Sequence, residues 1–435
     1  MNGPSNYTVL LIAATAISLA ACSSESDPVA AVGVTETRIG DTLIVENAAP
    51  VRSDTAILQR MATIGQIDGP AEYAFSQITA VAIGGAGAVY VAQLKDGVRE
   101  YSPSGAYVRT IMGYGQGPSE TEYANHMVVM PDGRLVVRSD GPKKLSIFDA
   151  NGELTETRSF GGTRLPYGQH SLQADTAENL YVGINPSYPQ DGSPMPWPRA
   201  ITVRWDGIEE TGDTLVAPER FLDRCPTRGT SHFRAGVFDD RRGAYFPKVK
   251  WAVSPLGYSI VGCNATYEFD LLHSDSTVTR VRRSEWPAVP VSEEERKAAI
   301  EWWTIGIRRF PGPESWTYTG PDVPDHKPAY KKFLMAEDGR IWVWSFTVSE
   351  PSPTPPEAPR NYPDEVWRTD PGGGHFDVFE PTGRWLGTVR VPPEIEYGWP
   401  SSPEPVIRGD TIWAATTDSL EIEYITRYEI RWRQD

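Results

Sequence analysis

A unit of four short strands separated by turns, clearest between Ala124 and Phe160, constrains this chain more than any other feature. Apolar, β-branched runs (ANHMVVM, RLVVRS, KLSIF, LTETRSF) are broken by Pro131-Asp132-Gly133 and Asp149-Ala150-Asn151-Gly152. Those turn residues supply the positive-φ positions that tight hairpins require, so the stretch reads as a four-stranded antiparallel meander. Such a meander cannot bury both faces of its own sheet, which implies stacked neighbours of the same kind. The composition agrees: 38 Pro and 39 Gly in 435 residues are more punctuation than a helical protein tolerates.

The unit recurs along the chain. Second strands follow a turn at Gly87-Ala-Val-Tyr-Val91, Gly133–Val137, Glu178–Val182, Gly257–Val261, Gly339–Val343 and Asp410–Ala414, which makes six units. Third strands are expected at Val98–Tyr101, Leu145–Phe148, Ile201–Trp205, Tyr267–Leu271, Phe376–Phe379 and Arg427–Trp432, and fourth strands start at Tyr107, Leu154, Asp213, Val278 and Trp385. The sixth unit lacks its outer strand, and the alternating segment Arg38–Glu46 is expected to supply it. The expected fold is therefore all-β: a six-bladed β-propeller over residues 38–435, closed by an N-terminal strand so that no sheet edge stays free. One short helical insertion is expected at Glu293–Trp303, capped by Ser292 with Glu295 completing a capping box.

Val9–Ala21 is an apolar run too short to span a bilayer, and its end with the next residue, Leu19-Ala20-Ala21-Cys22, looks like a bacterial lipobox. Residues 1–22 are then a lipoprotein signal peptide with Cys22 as the lipidation site, and 23–37 a tether. Three acyl chains bury dozens of CH₂ groups at about 0.8 kcal/mol each, enough for a lasting anchor. An extracytoplasmic address follows, on the outer membrane or the periplasmic side. The 57 acidic against 41 basic side chains give a net charge of −16, which argues against nucleic acid as a partner. With Cys22 acylated, Cys225 and Cys263 remain, either as two thiols or as a disulfide that would contribute about 3.5–4 kcal/mol by restricting the unfolded chain.

Tyr107-Val-Arg-Thr-Ile-Met-Gly-Tyr-Gly-Gln-Gly-Pro118, with Val98–Gly105 before it, resembles the recurrent glycine-rich element of secreted bacterial six-bladed β-propellers of the NHL/TolB-like kind. Trp251–Gly257, Arg282–Arg296 and Arg408–Trp413 extend the resemblance, which implies the fold and an envelope location but carries over no catalytic residues. Gly113–Pro118 could cradle a phosphate only if a helix followed. Pro118-Ser-Glu-Thr-Glu122 instead places a rigid turn and two carboxylates there, so a crossing between blades is the simpler reading.

Connection lengths divide the two ends of such a fold. Turns joining strands one to two and three to four are short, whereas Asn185–Pro198, Arg220–Pro247, Ser284–Ala329 and Ser345–His375 all fall at the other end, which is therefore the expected binding surface. Pro351–Pro363 is expected to be stiff and extended. His126, His170, His232, His326 and His375 fall at that end, as do Trp197, Trp286, Trp302, Trp303, Trp316, Trp367 and Trp399. The histidines would be candidate channel-mouth ligands for Ca or Zn, but none is paired at a metal-ligand spacing, and no cofactor is expected. The tryptophans are candidate aromatic contacts. No Gly-x-Ser-x-Gly elbow or HExxH is present. A monomeric binding or scaffold module for a protein, peptide or glycan is favoured over the alternative, a metal-dependent lyase or lactonase-type hydrolase.

Overall fold

Turn chemistry sets the strand order. The computed structural model describes residues 33–139, 141, 144–159, 172–184, 201–206, 209–215, 225, 245–309, 318, 322–353, 365–368, 373–395 and 403–432. A hairpin of β1 (Val34–Ile39) and β2 (Thr42–Asn47) comes first, followed by β3 (Thr55–Ile64). The first unit is β4 (Ile78–Ile83), β5 (Val89–Gln93), β6 (Gly97–Tyr101) and β7 (Tyr107–Tyr114), with the two-residue β8 (Glu120–Thr121) beside it. The second is β9 (Ala124–Val129), β10 (Leu135–Ser139), β11 (Lys144–Phe148) and β12 (Leu154–Ser159). The third is β13 (Gln173–Ala174), β14 (Leu180–Ile184), β15 (Ile201–Asp206) and β16 (Glu209–Leu215). The fourth is β17 (Val249–Val253), β18 (Ser259–Cys263), β19 (Glu268–Leu272) and β20 (Val278–Arg283). Helix α1 (Glu293–Arg309) intervenes before the fifth unit, which contains β21 (Tyr330–Met335) and β22 (Ile341–Ser345). A ribbon of β23 (Glu350–Pro353) and β24 (Glu365–Arg368) precedes its last strands, β25 (His375–Phe379) and β26 (Trp385–Arg390). Finally come β27 (Val406–Arg408), β28 (Thr411–Thr417) and β29 (Glu423–Arg431).

Each unit is an antiparallel meander, and the same turn opens five of them. Gly84, Met130, Asp175, Ser254 and Ala336 each donate their backbone N–H to the carbonyl four residues on, at 2.8–3.0 Å. The fourth turn residue has positive φ: Gly87, Gly133, Gly257 and Gly339, but Glu178 in the third unit. Glu178 is held in that conformation by Asp175, whose carboxylate accepts from the N–H groups of Ala177 and Asn179 at 2.9 Å and from the Tyr181 hydroxyl at 2.7 Å. These bonds offset the cost of a non-glycine residue in the left-handed region.

Neighbouring units are linked to one another at or near their first strands. Thr79 on β4 donates to Ala124 O on β9. Met130 and Val136 of the second unit pack on Leu172 and Leu180 of the third. Val253 N donates to Gln173 Oε1 (3.1 Å), Asn264 Nδ2 to Tyr330 O (2.6 Å), Glu337 N to Ile407 O (2.9 Å) and Arg408 Nη1 to Gly84 O (2.7 Å). Apolar layers fill the space between neighbouring sheets. Ile260, Phe269 and Phe333 form one layer, and Trp342, Phe376 and Tyr428 another.

The N-terminal strands correct the sequence reading. Arg38–Glu46 is not one strand, because Gly40 (φ 57°) and Asp41 reverse the chain and Ile39 pairs with Thr42. That hairpin extends the fourth sheet, with β2 running parallel to β20. The sixth unit is completed by β3, antiparallel to β29 along Ile57–Ile64, and β3 also pairs parallel with β26. Its buried Ala56 and Ile64 fit the cores on either side, whereas Ile39 is 64% exposed. Strand β1 begins at Val34, inside the segment expected to be tether. The helix continues to Arg309, six residues past its expected end, and part of the Pro-rich segment is strand: Pro351 pairs with Trp367.

Candidate functional site

At one end of the units the turns interlock and leave little freedom. Gly87 lies against Pro103, Gly133 against Ala150, Gly257 against Asp175, and Gly339 against Leu256 and Pro381. The opposite end carries the long connections, and its described part is most elaborate where the fourth unit meets the fifth.

Asn264 organises that corner. Its Oδ1 accepts from Lys248 N (2.6 Å), its Nδ2 donates to Tyr330 O, and its carbonyl accepts from Ala329 N (2.8 Å). The side chain, 2% exposed, thus pins the entry to β17 against the entry to β21. Next to it Cys263 is bonded to Cys225, with Cα atoms 5.3 Å apart.

A buried ionic group ties α1 into this corner. Glu295 N donates to Ser292 Oγ (3.1 Å), so Ser292 caps the helix, but the Glu295 carboxylate turns inward to the Lys327 ammonium at 3.1 Å. It also accepts from Tyr245 and from Ser349 Oγ (2.7 Å), while Lys327 Nζ donates to Thr347 O (2.8 Å) and Ser349 Oγ (2.5 Å). The two charged side chains are 0% and 3% exposed, so each depends on the other to offset its desolvation. Burial, reinforced by the hydrogen bond to Glu295, pushes the Tyr245 hydroxyl pKa well up, which keeps it a donor.

Lysines are concentrated on the two segments that Asn264 joins. Of the nine lysines in the chain, Lys248, Lys250, Lys327, Lys331 and Lys332 all lie at or next to β17 and β21. Lys331 sits over the ring of Trp344 at 4.4 Å, and Lys332 pairs with Glu404 at 2.8 Å. Lys250 has no carboxylate within ion-pair distance among the described residues; burial, then the charges of Lys248 and Lys332, lower its pKa to about 7. A second feature lies between the fourth and fifth sheets. Arg283 donates to Asp377 Oδ2 (2.6 Å) and stacks on Trp385 at 3.8 Å, beside a groove of about 590 Å³ also lined by Trp286, Glu285 and Ala48–Pro50.

The sequence candidates are spread over this architecture. His126 is on β9, His326 is exposed and forms an isolated bridge with Pro290, and His375 opens β25, a third strand, where its Nε2 accepts from Arg390 (3.3 Å). Among the described residues no three His, Cys, Asp or Glu side chains form a metal-binding group. Cys22, His170, His232, Trp197, Trp316 and Trp399 lie outside the described residues. Trp302 and Trp303 fall on α1 and Trp367 on β24, but only their backbones are described. The glycine-rich loop is a crossing between the first and second units: Gly117 N donates to Glu120 Oε2 (2.9 Å), and Lys144 Nζ to Gly117 O (2.5 Å). The chain's own carboxylate thus occupies the position a bound anion would take. Sequence reasoning missed the lysines, although their concentration at 248–250 and 327–332 was a readable signal.

Repeated antiparallel meanders packed against one another define a mostly β, propeller-like fold. A member of the DUF4221 family from Bacteroides vulgatus shares it, at TM-score 0.50 and 10% identity over 87% of this chain and 99% of that one. A candidate exported protein from Bacteroides fragilis superposes at TM-score 0.46 and 10% identity, covering 90% of this chain and 100% of its own. A gluconolactonase from Xanthomonas campestris gives 0.39 and 12%, covering 86% and 99%. At 10% identity the first likeness concerns fold alone. No protein-family model and no curated protein matches the chain.

Proposed function

We propose that the protein is a six-bladed β-propeller, anchored outside the cytoplasm through Cys22, that acts as a binding or scaffold module for a protein, peptide or glycan. In this reading residues 1–22 are the signal peptide, and ligands dock at the end bearing the long connections. The observation that carries it is the contrast between the two ends. One is closed by near-identical interlocked turns, while the other holds a helix fixed by a buried ion pair, a disulfide and a concentration of lysines. Extra chain held this firmly exceeds what the fold needs and suits a preformed binding surface. The disulfide supports an oxidising compartment.

Two experiments test the reading. A peptide and glycan array probed with the full chain should yield a ligand whose hydrogen-exchange protection falls at the entries to β17 and β21 and on α1. Protection confined to the short-turn end would refute it. Cys22→Ser should release the protein from membranes into the soluble envelope fraction; a variant that stays membrane-bound to the same degree removes the anchor from the proposal.

A further inference from the structure

We propose that the corner between β17 and β21 binds an oxyanion, a carboxylate or phosphate group of a ligand, through Lys248, Lys250 and Lys332. The inference rests on the reading that ligands dock at the long-connection end, and it adds their chemistry. Three observations converge on it.

The first is placement. Two segments some 80 residues apart in sequence hold five of the nine lysines of a chain with net charge −16, and Asn264 hydrogen-bonds to the backbone of both. The charges of Lys248 and Lys332 act on Lys250 and disfavour its charged form, which a bound anion would reverse. The second is pairing. Among the described residues Lys327 is held by Glu295 and Lys332 by Glu404, whereas no carboxylate lies within ion-pair distance of Lys250.

The third is residue type. The chain uses arginine for its partly buried ion pairs elsewhere in these units, as at Arg280–Asp270 (2.8 Å) and Arg283–Asp377 (2.6 Å), but lysine here. Arginine stays charged under any condition, whereas a crowded lysine can release its proton and recover it when an anion arrives. The charged groups acting on Lys250 are Lys248, which leads into its own strand, and Lys332 on β21; Glu404 partly offsets the second. With a pKa of about 7, Lys250 is mostly neutral at pH 8.5, so binding an anion there must draw in a proton.

Isothermal titration of the full chain at pH 8.5 with citrate, and separately with inorganic phosphate, in two buffers of different ionisation enthalpy reads both affinity and proton uptake. The expected result is saturable binding of at least one anion, with uptake approaching about one proton per site. Lys250→Met should abolish the uptake and weaken binding by about 10–100-fold. Lys332→Gln should weaken binding, and Lys95→Met, an exposed lysine between β5 and β6, should leave it unchanged. Binding of citrate alone identifies a carboxylate ligand, and binding of phosphate alone a phosphorylated one. Failure of both anions to bind, or binding with neither proton uptake nor sensitivity to Lys250→Met, overturns the inference. A peptide or glycan that still binds Lys250→Met at the long-connection end would leave the broader functional reading intact.

Discussion

Replacing Glu295 by Gln tests whether the buried Glu295–Lys327 pair fixes the helical insertion to the body. Gln keeps the shape and an oxygen that can accept from Tyr245 and Ser349, but it removes the negative charge opposite a Lys327 that is 0% exposed. Lys327 would retain its contacts to Thr347 O and Ser349 Oγ without a counter-ion. Unpairing one member of a buried ion pair costs about 3–5 kcal/mol. With unfolding entropy of about 2.1 cal/mol/K per residue over roughly 400 residues, that corresponds to a Tm lowered by about 4–6 °C in a calorimetric scan. The double variant Glu295→Gln with Lys327→Met carries neither charge and should recover to within about 1–2 kcal/mol of the wild type. A Tm loss under about 1 °C for Glu295→Gln, or a double variant whose loss equals the sum of the single ones, would refute the argument that the pair is mutually dependent.

Three further outcomes are expected. Asn47 is fully buried and donates to Arg282 O and Gly383 O at 3.1 Å while accepting from Trp385 N at 2.8 Å, so Asn47→Ala should cost about 2–4 kcal/mol in a denaturant titration; a loss below about 1 kcal/mol would contradict that role. Removing residues 1–48 should lower Tm yet leave a folded protein, whereas removing 1–64 also strips β3 from between β26 and β29 and should yield aggregate on gel filtration; equal behaviour of the two truncations would sink the revised closure. The ordinary lysine pKa of 10.5 falls to about 7 at Lys250, so the unfolded chain binds more protons between those values and stability should rise with pH across that window. Lys250→Met should therefore raise Tm most below pH 7, with the gain fading toward pH 10; a gain independent of pH would reject the sign.

The sequence by itself determined the strands and most of their order. Second strands such as Leu135–Ser139 and Ile341–Ser345 were legible because Gly133 and Gly339 fix local backbone geometry, and local geometry needs no distant partner. The contrast between short and long connections was legible for the same reason. Only the tertiary structure decided which N-terminal strand completes the sixth unit. Arg38–Glu46 and Thr55–Ile64 both alternate polar and apolar residues, and the choice depends on the surfaces each meets: Ala56 and Ile64 find cores to enter, while Gly40 turns the other segment back on itself. Glu295 read as half of a capping box because its spacing from Ser292 is local; its inward turn depends on Lys327, thirty-two residues on in the chain, and on a pocket dry enough to make that charge decisive. The lysine corner follows the same rule: composition placed ammonium groups on two segments, and the packing of β17 against β21 through Asn264 brought their charges together.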